Sequence, residues 1–124
     1  MTTDSLPVRD DSREPELITP IEASARVEGG ALLIDVRPEK YLASDGSTTV
    51  ATWVDRYTMA DQFLEGGANY LGAALDPERE IVVMCGSVNG SAPMAKWLLE
   101  NGHTNVSHVD GGFAAWREAG LPTS

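Results

Sequence analysis

The sequence holds a single cysteine, few cations and no apolar run long enough to cross a bilayer, and each shortage removes a class of function. One thiol in 124 residues cannot close an internal disulfide, and with two histidines beside it a Cys-rich metal site lacks ligands at workable spacing. That thiol acts alone or with a partner molecule. The longest apolar runs, Ala31 to Ile34 and Ile81 to Cys85, are strand-sized and far below the ~20 residues of a spanning helix. Met1 to Arg9 carries no apolar leader stretch, so the expected compartment is the cytoplasm and no membrane partner is expected. Lys and Arg number 9 against 19 Asp and Glu, a net charge of -10 at pH 7. Nucleic acid is excluded as a partner because phosphate binding needs a basic face. The same balance opposes long-range steering of free anions and favours partners with basic surfaces.

What is present suits one globular domain: 42% hydrophobic and 23% charged residues over a length that leaves little room for a second core. Met1 to Leu17 is polar and acidic, broken by Pro7 and Pro15, and reads as a flexible tail ahead of a domain spanning residues 18–124. Thr19-Pro20-Ile21-Glu22 has the form of a capping box with proline at the first helical position, and Gly29-Gly30 stops that helix two turns later. Ala31 to Val36 and Ile81 to Cys85 are nearly continuous apolar runs rich in branched residues, the pattern of strands buried on both faces of a parallel sheet. Val50 to Val54 predicts a further strand and Thr58 to Leu64 a short helix. Ser91 to Glu100 predicts a helix stopped by Asn101-Gly102, Val106 to Val109 a strand, and Phe113 to Ala119 a helix stopped by Gly120. Alternating strands and helices imply an α/β fold, a central parallel sheet flanked by helices on both faces, with sites at the carboxyl ends of the strands.

The chemistry concentrates at Cys85, which ends the most apolar strand and is separated by Gly86-Ser87-Val88-Asn89-Gly90 from Ser91 at the expected helix start. Backbone N–H groups and a positive helix end there would stabilise an anion on sulfur and support a nucleophilic thiolate, with the two glycines letting the loop curl around it. The other reading is a small buried hydrophobe ending a strand.

Three blocks carry a resemblance to a known family. Leu33-Ile34-Asp35-Val36-Arg37-Pro38 resembles a characteristic strand end. Ile81-Val82-Val83-Met84-Cys85 leads into an active-site loop. Gly102-His103-Thr104-Asn105-Val106 leads to Val109-Asp110-Gly111-Gly112-Phe113-Ala114-Ala115-Trp116, with Gly120-Leu121-Pro122 after it. From about Ile18 to Pro122 the sequence resembles the rhodanese-like domains, which include single-domain sulfurtransferases.

The resemblance implies that Cys85 is the catalytic nucleophile. It attacks a sulfur donor, carries the sulfur as a persulfide and passes it to an acceptor, with Gly86, Ser87, Val88, Asn89, Gly90 and Ser91 holding the charged sulfur through backbone N–H groups. With one cysteine, discharge goes to an external thiol or protein acceptor. No metal and no cofactor is implied, and one cysteine with a closed core suits a monomer. Many active members resemble Cys-Arg-x-Gly-x-Arg-Ser, whereas here Gly86 and Gly90 stand at the arginine positions and Val88 at the glycine. No Lys or Arg occurs between Arg79 and Lys96. A loop without cations should bind a dianion such as thiosulfate weakly. Gly46-Ser47-Thr48-Thr49-Val50-Ala51 replaces the family's Gly-His-Ile-Pro-Gly-Ala. Arg56, after the next strand, either leans over the site to supply the missing charge or is a solvated strand-end residue.

Asp35 and Arg37 either shape the pocket or brace the loop, and the family favours bracing. His103 and His108 flank a strand and read as surface residues, while Trp53, Trp97 and Trp116 read as packing residues. The phosphatase relatives have a longer loop ending in a phosphate-binding Arg. Here that position is Ser91, which argues against phosphate-ester hydrolysis. A non-catalytic binding module recognising a protein through the same loop, or a sulfur or redox sensor, is the competing class. Cys85 favours catalysis, and Gly86 and Gly90 favour binding.

Overall fold

The computed structural model describes residues 15–48, 50–55 and 78–123. In chain order the elements are β1 (Glu16–Ile18), α1 (Pro20–Glu28), β2 (Leu32–Asp35), α2 (Glu39–Asp45), β3 (Ala51–Trp53), β4 (Ile81–Met84), α3 (Val88–Glu100), β5 (Val106–Val109) and α4 (Gly112–Glu118). The strands form one sheet in the order β1-β5-β4-β2-β3, every neighbouring pair parallel. Each parallel neighbour needs a crossover, which places helices on both faces and strips the central strands of water-facing residues.

β4 is the central strand and all four of its residues are buried. Its alternation sends Ile81 and Val83 to one face, where Ile34 and Val36 meet Ala95, Leu98 and Leu99 of α3. Val82 and Met84 point to the other, with Leu33, Val109, Ala23 of α1, and Phe113 and Trp116 of α4. Trp116 is fully buried and its indole N–H donates to the Pro122 carbonyl at 2.9 Å, while Trp53 and Trp97 are half-buried. Among the described residues no helix is long and apolar enough to cross a membrane.

The N-terminus of α1 forms as its sequence dictates. Thr19 Oγ1 accepts the Glu22 N–H at 3.1 Å and Pro20 occupies the first turn. The reciprocal half of a capping box is replaced by an ion pair, since Glu22 turns to Arg26 at 3.0 Å, and Arg26 also meets Glu16 and Glu80.

Four expectations are corrected. Glu16 and Leu17, assigned to the tail, pair with Ser107 and His108 as part of the edge strand, so the ordered sheet begins before residue 18. α2 was not expected; Pro38 at its N-cap and Gly46 at φ 91 bound a run of helix formers with no buried residue, so it lacks the apolar stripe that would announce it. α3 starts at Val88 rather than Ser91, with Ser87 as N-cap and Gly90 inside the helix. His103 and His108 are buried, each 6% exposed. The His103 N–H donates to the Leu98 carbonyl at 3.0 Å and Gly102 N–H to Leu99, the paired bonds of a helix-end turn that folds the His103 ring back inward. The helix expected over residues 58–64 lies outside the described residues.

Two outcomes test this packing. Ile18, 5% exposed, anchors β1 in the core, and Ile18→Ala should cost about 2–5 kcal/mol in a urea titration, whereas a tail residue would cost nothing. Burial holds the His103 imidazole below its usual pKa of 6.5, so the fold retains the neutral ring. Its contribution is complete above that value and is lost as pH falls through the depressed folded-state pKa. Lowering pH from about 7.5 to about 5.5 should reduce the urea midpoint of the parent more than that of His103→Gln.

Candidate active site

Cys85 follows β4 directly, at the carboxyl edge where the sheet order turns from β5 on one side to β2 on the other, the position at which open α/β sheets carry their sites. It is 6% exposed. The chain then makes a two-residue turn, Gly86 and Ser87, and enters α3. The Ser87 carbonyl accepts the N–H groups of both Gly90 (3.1 Å) and Ser91 (3.2 Å). Those two amides are therefore committed to the helix. The amides its ladder does not use are those of Val88 and Asn89, and they carry the positive end of the helix dipole. Pro93 has no N–H, so the ladder bond to the Asn89 carbonyl cannot form either.

The glycines that shape this turn are not those in it. Neither Gly86 nor Gly90 has positive φ, and a Cβ at Gly86 would meet nothing within 4 Å. The constraint comes from Gly111 (φ 79) and Gly112 (φ 63) at the start of α4. A Cβ on Gly112 would lie 2.6 Å from the Gly86 carbonyl carbon and closer still to the Cys85 carbonyl oxygen. The Phe113 N–H donates to that same Cys85 carbonyl at 2.7 Å. The β5–α4 turn thus presses backbone to backbone against the Cys85 turn, an approach only glycine permits.

The opposite wall is hung on Arg37. It is 2% exposed, donates to both Asp35 oxygens through Nε at 3.0 Å, and reaches Asp35 Oδ2 and the Gly46 carbonyl through Nη2 at 2.7 and 2.9 Å. Its Cζ sits 3.9 Å from the centroid of the Phe113 ring, a cation-π contact, and its own carbonyl accepts the Trp53 indole N–H at 2.8 Å. Arg117 donates to the Asp45 carbonyl at 2.8 Å, so two arginines hold the carboxyl end of α2. Between the walls lies an open cleft of about 540 Å³. Cys85, Gly86, Ser87, Asn89 and Gly90 line one side, and Arg37, Pro38, Tyr41 and Asp45 the other.

Residues 19–119 match the family model of the Rhodanese-like domain. The chain belongs to the rhodanese-like domain family. It is 35% identical over 101 residues to the thiosulfate sulfurtransferase GlpE of Pseudomonas entomophila, covering 81% of this chain and 83% of that one. Among solved structures it is similar to the polysulfide-sulfur transferase homodimer of Wolinella succinogenes, with TM-score 0.70, 26% identity, and 89% and 78% of the two chains covered. It is also similar to RPA3614 of Rhodopseudomonas palustris, a protein of unknown function described as a possible tyrosine phosphatase. There the TM-score is 0.79 at 25% identity, with 89% and 85% covered.

Of the residues singled out in the sequence, the rhodanese-like fold brings Cys85, Gly86, Ser87, Asn89, Gly90 and Arg37 to one cleft. Asp35 lies behind it, buried against Arg37. Ser91 is fully buried and its hydroxyl lies 2.8 Å from His108 Nδ1, so its side chain faces the sheet rather than the cleft. Arg56 and the Val88 side chain lie outside the described residues. Tyr41 and Asp45 were missed, because nothing in a short polar run between Pro38 and Gly46 signals that it will stand across from Cys85. The Gly111-Gly112 pair was visible as a motif, but its purpose, contact with the Cys85 turn, appears only in three dimensions.

Gly112→Ala tests that contact. Overpacking should cost about 1–3 kcal/mol, added to ~1–2 kcal/mol for a left-handed alanine. Gly86→Ala, with open space around it, should leave the urea midpoint close to the parent's.

Proposed function

We propose that the protein is a sulfurtransferase that moves sulfane sulfur from a donor to a thiol or protein acceptor through a persulfide on Cys85. The observation that carries this reading is the placement of the cysteine. It ends the central strand, at the amino end of a helix and in an open cleft, within a fold whose relatives include a thiosulfate sulfurtransferase and a polysulfide-sulfur transferase. In the first half-reaction the Cys85 thiolate attacks the sulfane sulfur of the donor. A new sulfur–sulfur bond forms as the donor's own breaks, and the leaving group departs with the bonding pair. In the second, an acceptor thiolate attacks the outer sulfur of the persulfide and Cys85 leaves as thiolate, so no oxidant or reductant is consumed. The amides of Val88 and Asn89, with the α3 dipole, stabilise the negative charge that stays on sulfur throughout.

Phosphate-ester hydrolysis is the weaker reading. The residue where such an enzyme would need its phosphate-binding cation is Ser91, buried against His108, and no cation occurs from Gly86 to Gly90.

Treating the protein with a sulfane-sulfur donor should raise its intact mass by about 32 Da, one sulfur atom, and reductant should remove the increment. Cys85→Ser should fold with an unchanged urea midpoint and gain no mass. Sulfur transfer that persists in this variant eliminates the mechanism. A parent protein that folds yet never takes up sulfur, while its cleft retains a protein partner, would establish the binding module instead.

A further inference from the structure

Arg37 is the one cation among the described residues lining the cleft, and its hydrogen bonds do not close. Nε and Nη2 are committed to Asp35 and Gly46, but Nη1 is buried with no hydrogen-bond partner among the described residues. A buried guanidinium nitrogen rarely goes unsatisfied, because the protein has removed its water without replacing it. The Asp35 carboxylate and the Phe113 ring clamp the group in place, so Nη1 is a preset donor. Its charge is another matter. Asp35 lies 2.7 Å away and Asp45 lines the same cleft, so one cation faces two acids.

We infer that Arg37 is a substrate-binding residue whose Nη1 receives the anionic end of the sulfur donor, and that the cleft selects donors bearing a single negative charge over dianions such as thiosulfate. The inference rests on the sulfurtransferase reading. One hydrogen-bonding nitrogen satisfies one anionic group, while a second negative charge would face Asp45 with no second cation among the described cleft residues to answer it. The class admitted is the organic thiosulfonate or organic persulfide. With methanethiosulfonate, the Cys85 thiolate attacks the sulfane sulfur, the bond to the sulfonyl sulfur breaks and methanesulfinate leaves. With thiosulfate the same step releases sulfite, so the two probes differ chiefly in charge.

The full-length protein should show a KM for methanethiosulfonate at least about tenfold below that for thiosulfate, the size expected of one unit charge in a partly screened site. Asp35→Asn keeps an oxygen for Arg37 but releases its charge. It should lower the KM for both donors, and for thiosulfate several-fold more than for methanethiosulfonate, so that the gap between them narrows, with turnover normalised to folded protein because Asp35 also braces the site. A merely structural Arg37 would shift kcat for both donors together. Should Asp35→Asn not fold, Asp45→Asn on the exposed rim narrows the same gap in the same direction. Equal KM values in the parent, or a folded Asp35→Asn with an unmoved thiosulfate KM, would overturn the inference. If neither donor adds sulfur to Cys85, the sulfurtransferase reading fails and binding alone decides this one. Methanesulfonate must then protect Cys85 from iodoacetamide at lower concentration than sulfate does, and protection in the reverse order would overturn it.

Discussion

The buried ion pair between Asp35 and Arg37 is the interaction on which the site is assembled. Both side chains are almost wholly removed from water, at 3% and 2% exposure, so each needs the other and neither tolerates loss of its partner. Removing one member of such a pair typically costs about 3–5 kcal/mol, a large share of a small domain's stability. What returns for that desolvation is position. Arg37 extends from the end of β2 to the Gly46 carbonyl, to the Phe113 ring and, through its own carbonyl, to Trp53, joining α2, α4 and β3 at one corner of the sheet. Without it, α2 has no buried residue to dock it, and among the described residues the bond from Arg117 to the Asp45 carbonyl is what still ties down its carboxyl end.

Phe113 links that corner to the cysteine. Its ring receives Arg37 while its amide donates to the Cys85 carbonyl, and the glycine before it lets the two backbones touch. A change in the Asp35–Arg37 geometry therefore reaches the Cys85 turn through Phe113 as well as through the β2–β4 ladder, where Asp35 pairs with Met84. The rigid part of the cleft is this chain of short contacts, and the mouth is formed by side chains that reach outward, such as Tyr41 and Asp45.

How much of this was legible in the sequence depends on whether the signal was local. β2 and β4 announced themselves as apolar runs because a central parallel strand buries both faces, and Cys85 at the end of one of them pointed to the correct edge of the sheet. β1 did not, since three residues with only Ile18 buried have no periodicity to read, and Glu16 and Leu17 were absorbed into the acidic tail. The start of α3 was placed late because Gly86 and Gly90 were read as loop-formers. A helix tolerates one glycine at about 1 kcal/mol, and here the backbone at Gly90 is helical. The burial of His103 and His108 was hidden for a different reason: polar side chains facing inward carry no apolar pattern, and a contact such as that of His108 with Ser91 is visible only in the fold.

That pairing also bears on which chemistry the fold supports. Helix α3 begins immediately after Ser87, so Ser91 falls on its inward face, one turn along, where it meets β5 rather than the cleft. A cation at that position would be drawn under the sheet, next to a buried imidazole, unless the first turn of α3 unwound to present it. The early helix start therefore does two things together. It supplies two unused amides beside Cys85, enough for one charged sulfur, and it withdraws residue 91 from any role in gripping a phosphoryl group. On the proposed sulfurtransferase reading, the backbone sets the charge the loop itself can hold, and the acids beside Arg37 add to that limit.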